Sequence, residues 1–309
     1  MRPPINPRED RRPFIARRDR PDAPRHPRRP LSPRVLSHLI LLLASLVGAV
    51  AFVYPFFAPA VAQTGFASAA HAKDAPIITV VLVVLCLGAV FASLTAGSAD
   101  AGAAHSPMNA KTVAVLGVLT AANAILRAVP GPAGFAAVFM LPVLCGYAYG
   151  ATFGFLLGAL SLLVSALIGA GLGPWLPYQM LAAGWVGLTS AWLPDMRRWG
   201  WGEVAVLAAW GALWGFAFGA VMNLWFWPFI YQPQQAEMHW QAGANLRETL
   251  RSYALFYAIT SFWWDLGRAA GNALLIALFG RPLLKLLRRF EKRFHFVATA
   301  DSMAPAERR

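Results

Sequence analysis

From Pro132 to Pro194 the chain reads PAGFAAVFMLPVLCGYAYGATFGFLLGALSLLVSALIGAGLGPWLPYQMLAAGWVGLTSAWLP, without a single Lys, Arg, Asp or Glu. One helix crosses a bilayer in about 20 apolar residues. This run is far longer, so it must fold back on itself within the membrane. Gly150 and the cluster Gly169-Ala170-Gly171-Leu172-Gly173-Pro174 supply the turn signals, and they divide the run into three helices. The whole chain has the same texture. Hydrophobic residues make up 58% of it and charged residues only 13%, about half the charged share of an ordinary soluble domain (roughly 25%). The expected fold class is all-α, a polytopic transmembrane helical bundle.

Working outward, spans are expected at 110–128, 135–149, 152–170, 176–193, 203–226 and 250–279, giving a six-helix core over 110–281. Two extra N-terminal transmembrane helices precede it within 35–96, running Val35 to Phe57 and Ile77 to Ala96. A linker over 97–109 joins them to the core. Ala60-Val61-Ala62 resembles a signal-peptidase site. The apolar stretch before it exceeds the roughly 7–15 residues of a signal-peptide core, so a retained helix is expected. Residues 1–34 are Arg- and Pro-rich with little to bury, and read as a disordered tail.

The net charge of +13 is concentrated. Eleven arginines lie between Arg2 and Arg34. Others cluster from Arg281 to Arg293, in a basic amphipathic tail over 282–309. A basic chain can bind nucleic acid, but here the charge flanks apolar spans, as the positive-inside rule requires. With eight spans, the tail, Lys111, Arg197-Arg198 and the Arg281–Arg293 cluster all fall on the cytoplasmic side. Both termini are then cytoplasmic, in a bacterial cytoplasmic membrane, and no nucleic-acid partner is expected. Asn245 with Glu248 reads as a capping box opening the last span. Gly280 and Pro282 read as its stop. Beyond them, Leu283 to Phe294 reads as an interfacial helix on membrane lipid.

No phosphate-binding loop, His-Glu-x-x-His zinc site or Gly-x-Ser-x-Gly elbow occurs. Neither catalytic nor metal-ligating residues are expected, nor a cofactor. Cys86 and Cys145 sit within apolar runs and read as packing residues. Two other signals stand out. The first is small residues at helical spacing: Gly146, Gly150, Gly154 and Gly158; Gly211, Gly215 and Gly219; Ala110, Ala114, Gly117, Ala121, Ala124 and Ala128. Such stripes let helices approach closely, either within the bundle or against a partner.

The second signal is intramembrane polarity. Asp265 and Arg268 are i,i+3 neighbours, with Asn272 one turn on and Trp263 just before. A charge at this depth must face the interior or a wet cavity. Asn123, Arg127, Trp175, Tyr178, Gln179 and Asn223, with Trp225, Trp227 and Tyr231, cluster at the expected outer ends. Aromatic walls with directed polar groups suit a medium-sized organic ligand. Asn123, Arg127, Trp175, Tyr178, Gln179, Asn223, Trp263, Asp265, Arg268 and Asn272 read as a candidate substrate-binding set, with an interfacial aromatic belt and a self-satisfied helix clamp as the alternatives.

Three stretches carry a family likeness: Arg127 to Pro132; Met140 to Gly158; and Gly173-Pro174-Trp175-Leu176-Pro177-Tyr178-Gln179 leading into Gly184-Trp185. Together with the Asp265-to-Asn272 segment, the region 110–285 resembles the membrane-embedded substrate-binding subunit, or S component, of energy-coupling-factor (ECF) vitamin transporters, of the actinobacterial type. The resemblance implies capture of a vitamin or related micronutrient from outside. It implies partnership with a membrane T component and two cytoplasmic ATPases, and toppling of the loaded subunit in the membrane. It also implies docking on the T component through an Ala-x-x-x-Ala pattern on the first core helix, here Ala110, Ala114, Gly117 and Ala121. Val118 departs from that pattern, and the two extra N-terminal helices depart from the usual six spans. A stand-alone secondary transporter or an integral membrane enzyme acting on lipid or isoprenoid remain the alternative readings.

Overall fold

The computed structural model describes residues 33–57, 74–99, 110–128, 131, 134–230, 233–241 and 243–294. The Arg-rich tail, Ala60-Val61-Ala62, most of the expected linker and Tyr231 lie outside the described residues. Every regular element among the described residues is helical. The α-helices are α1 (Pro33–Val53), α2 (Asp74–Ala99), α3 (Ala110–Ala128), α4 (Met140–Tyr149), α5 (Ala151–Ser165), α6 (Leu176–Ser190), α7 (Trp201–Leu224), α8 (Leu246–Thr260) and α9 (Phe262–Phe294).

Among the described residues, six helical segments are long and apolar enough to cross a membrane: 35–57, 74–92, 111–128, 151–169, 201–229 and 262–290. Two of the eight expected spans are shorter than a crossing requires. The 10 residues of α4 and the 15 of α6 rise only about 15 and 22 Å, against a hydrocarbon core of about 30 Å. Both are heavily buried, with Val143, Leu144, Cys145, Tyr178, Met180 and Leu181 fully enclosed. Their neighbours take the place of lipid, which is where irregular helix ends are tolerated. Gly150 separates α4 from α5 with φ 93°, a conformation that favours glycine.

α5 packs chiefly on α6, α9 on α7, and α3 on α5, while α4 is wedged among α5, α6 and α9. Bare backbone makes these approaches close. A Cβ on Gly146 or Gly154 would overlap the Gly187 carbonyl, and one on Gly158 would overlap the Ala183 carbonyl. The extra helices α1 and α2 pack on each other and on α6. Gly48 lies under Leu181 and Trp185, Phe52 meets the rings of Tyr178 and Trp185, and Trp185 Nε1 donates to Ser45 Oγ at 3.1 Å.

The end of the chain differs from expectation twice. The capping box forms: the Glu248 amide donates to Asn245 Oδ1 at 2.9 Å and the Asn245 amide to Glu248 Oε2 at 3.2 Å. However, it opens the separate amphipathic helix α8, which ends at Thr260, and the last span starts only at Phe262. The expected stop at Gly280 and Pro282 is overturned, because α9 continues as α-helix to Phe294. Gly280 has no positive φ and is instead buried facing Val204 and Leu144. Proline removes one backbone hydrogen bond and disfavours the helix by about 3 kcal/mol. Tertiary contacts beyond it outweigh that loss. Leu284 and Leu287 are buried, Tyr149 Oη donates to the Leu287 carbonyl at 2.8 Å, and Arg288 pairs with buried Glu203. The segment expected as an independent interfacial helix is therefore the last part of α9.

Candidate functional site

Two polar clusters mark the two ends of the bundle. One lies where α4 ends and α7 begins. Glu203 there accepts from Tyr147 Oη at 2.8 Å and from Arg288, and Tyr147 Oη accepts from the Met196 amide at 2.8 Å. The basic residues Arg197, Arg198 and Arg281 lie near this cluster in the chain.

The other end holds an open cavity of about 380 Å³. Its lining comes from the end of α3 (Arg127, Ala128), the segment before α4 (Gly134, Ala136, Val138), α5 and its terminal turn (Leu162, Gly169), Gln179 of α6, Phe218 of α7 and Arg268 of α9. Local features of the sequence create this opening. The last turn after α5 widens to a π-helix over Ala166–Ala170 and breaks at Gly169, with φ 129°. A bulge of this kind is frequent at functional sites. Gly134, φ 81°, sits so close to the Trp264 carbonyl that a Cβ would overlap it.

The polar groups are placed by specific bonds. Arg127 donates to Ser165 Oγ at 2.7 Å and to Gln179 Oε1 at 2.8 Å. Arg268 is paired with Asp265, reaches the Gly215 carbonyl at 3.4 Å and lies 5.1 Å from the Phe218 ring centroid. Asp265 is buried behind this pair, with the Tyr257 hydroxyl beside it and bare Gly219 making room for its carboxylate.

Arg127, Gln179 and Arg268 are thus brought together on one void, with Asp265 as support. Asn123 and Asn272 stand behind the wall. Asn123 Nδ2 donates to the Val138 carbonyl at 3.2 Å and to Ser161 Oγ at 2.8 Å. Asn272 accepts from the Phe139 amide at 3.0 Å and donates to the carbonyls of Ala136 and Arg268 at 3.1 and 2.9 Å. They fix the segment between α3 and α4 that forms one wall.

The remaining residues of the set lie elsewhere. Tyr178 is fully buried, stacked on Trp225. Asn223 donates to Ser261 Oγ at 2.8 Å. Trp175 is 37% and Trp263 68% exposed on the outer surface. Trp227 is enclosed and donates to the Met238 carbonyl at 3.0 Å. Phe218, Ser165 and Gly169 join the site without belonging to the sequence-predicted set. A lone Phe or Ser in an apolar helix carries no signal, and a glycine cluster such as that at Gly169 signals only a turn.

The arrangement can hold a polar solute by charge and hydrogen bonds. Among the described residues no group of three or more His, Cys, Asp or Glu side chains could hold a metal.

On α3, Ala114, Gly117 and Ala121 are exposed, and a Cβ on Gly117 meets nothing within 4 Å. Val118 and Ile125 are exposed on the same helix, and Ala110 is its first residue.

Comparison with curated proteins and with solved structures returns no match. The family model described as "ECF transporter, substrate-specific component" matches residues 111–279, from the start of α3 almost to Gly280. It spans the helices that build the cavity and leaves out α1 and α2. The family's members are substrate-binding, non-catalytic membrane subunits that work with a T component and ATPases, and this multi-pass chain belongs to it, as a substrate-specific component of an ECF transporter.

Proposed function

We propose that the chain captures a vitamin or related small organic micronutrient in the cavity at Arg127, Gln179 and Arg268, on the outer face of a bacterial cytoplasmic membrane. The carrying observation is the convergence of three directed polar side chains on one void at one end of the bundle. Its volume lies within the usual range of small-molecule sites, about 300–1,000 Å³. The outward orientation follows from charge. Arg197, Arg198, Lys285 and Arg289 gather at the opposite end of the bundle, which the positive-inside rule assigns to the cytoplasm along with both termini.

In this reading the apolar, uncovered face of α3 at Ala114, Gly117 and Ala121 meets the T component, and two ATPases supply the energy. α1 and α2 pack on α6, whose Gln179 lines the cavity. The basic end of α9 rests on anionic lipid.

The test has two parts. Mass spectrometry of small molecules released from the purified chain identifies the cargo. Uptake of that cargo is then measured with and without the T component and ATPases. Binding by the chain alone and uptake only with its partners is expected. Ion-driven uptake by the chain alone would overturn the reading in favour of a secondary transporter.

A further inference from the structure

The charge balance of the cavity does not close. Two guanidinium groups line it. Arg268 has its counter-charge one turn away in Asp265. The bonds of Arg127 go to neutral groups, Ser165 Oγ and Gln179 Oε1, and no Asp or Glu lies among the described lining residues. A guanidinium offers five N–H donors, so most of those on Arg127 remain for something else. A partly buried charge without a counter-charge is unfavourable, and the void beside it is where one can enter.

The walls point the same way. The single aromatic in the described lining is Phe218, and Arg268 already lies against its ring. Ring stacking therefore adds little to binding there, and a cationic ligand meets like charge.

We infer that the solute taken into this cavity is an organic anion, a small acid bearing a carboxylate or a phosphate, with Arg127 as its principal counter-charge and Gln179 holding Arg127 in place. Planar, charge-assisted recognition of either group is what arginine does best. This rests on the reading of the cavity as the substrate site and adds the substrate's chemical class.

The test uses the purified full chain in nanodiscs of zwitterionic lipid. Thermal unfolding is followed against four probes of similar size: benzoate, phenyl phosphate, benzamide and benzylamine. Benzoate or phenyl phosphate should raise Tm saturably, and the neutral and cationic probes should not. Arg127→Gln should weaken the anion response by roughly tenfold or more, the loss of one charge-assisted contact. Arg127→Lys should keep part of it, and Arg198→Gln at the far end should keep all of it. Should Arg127→Gln fail to fold, Gln179→Leu serves instead, with a severalfold loss expected.

A response to benzylamine or benzamide equal to that of the anions would overturn the inference. So would no response to either anion, or an undiminished one in Arg127→Gln. Loss of the benzoate response on adding phosphatidylglycerol to the discs would assign the site to a lipid headgroup and overturn the soluble acid; an unchanged response supports it. Partner-dependent uptake of a neutral or cationic cargo would sink this inference and leave the proposed function standing. Anion binding without partner-dependent uptake would do the reverse.

Discussion

The glycines packed between α4, α5, α6, α7 and α9 and the small residues Ala114, Gly117 and Ala121 of α3 follow the same spacing rule and end in opposite environments, while Ala124 of the same stripe is buried. Gly146, Gly154 and Gly158 lie against the backbone of α6 at Gly187 and Ala183, and Gly215 and Gly219 lie against α9 at Ala269 and Asp265. On α3, Ala114, Gly117 and Ala121 face away from the bundle. Small residues let a neighbour come close, but spacing does not say whether the neighbour is in the same chain. In the first group the neighbour is present and the surface is used up. In the second the surface is still available, on the helix where the family match begins.

The hardest test of this contrast is a large side chain inside the closed group. Gly154→Leu should remove the folded chain altogether. Overpacking commonly destabilises by about 1–3 kcal/mol when side chains can shift. Here the obstacle is the Gly187 carbonyl, which is backbone. Size-exclusion chromatography after detergent extraction should find aggregate only. A monodisperse peak with unchanged Tm would mean that α5 and α6 are not in contact.

Next in size is Asp265→Asn. Gly219 gives Asp265 its seat on the closed side, and the change leaves Arg268 partly buried with no counter-charge. Removing one member of a buried ion pair destabilises by about 3–5 kcal/mol; the 21% exposure of the Arg268 side chain places the expectation at or below the lower figure, about 3 kcal/mol. The double variant Asp265→Asn with Arg268→Gln should recover most of this loss in a thermal melt. No recovery would show that Asp265 matters through Gly219 and Tyr257 and not through the charge.

On the open side, bulk should be harmless to the chain itself. Ala121→Phe should change the stability read from a thermal melt by no more than about 0.5 kcal/mol, as for other surface changes, and leave ligand binding intact. Partner-dependent uptake should fall about tenfold, equivalent to about 1.4 kcal/mol of docking. Equal losses in binding and uptake would place α3 in the ligand site and not at a partner.

Much of this was legible beforehand. Charge-free length and glycine clusters gave the helical bundle, and the break at Gly150 and the Asn245–Glu248 capping box came from local chemistry that needs no tertiary information. Arg127, Gln179 and Arg268 are legible in the sequence because polar groups are conspicuous among apolar ones. What could not be read was direction. Tyr178 and Trp225 look alike whether they face a void or each other. Gly280 and Pro282 have the composition of a helix stop, and only the packing of Leu284, Leu287 and Arg288 overrides it. The shortness of α4 and α6 was hidden as well, because a continuous apolar run does not show how much of it is helix and how much is wall.

The smallest effect separates the two groups most cleanly. In a helix interior, glycine is less favourable than alanine by about 0.8–1 kcal/mol, because it gives up more backbone freedom on folding. Gly117 lies within α3, and a Cβ there meets nothing within 4 Å, so Gly117→Ala gains propensity without a clash. A rise in Tm corresponding to about 0.5–1 kcal/mol is expected. The same substitution at Gly158 gains the same propensity and drives its methyl into the Ala183 carbonyl, so Tm should fall. The two variants differ by one methyl group each, in helices of the same chain. Opposite signs in one thermal-melt series would therefore report on the neighbours alone. If Gly117→Ala lowers Tm of the isolated chain, α3 is already covered by something in that preparation, and the open face has an occupant even without its transporter partners.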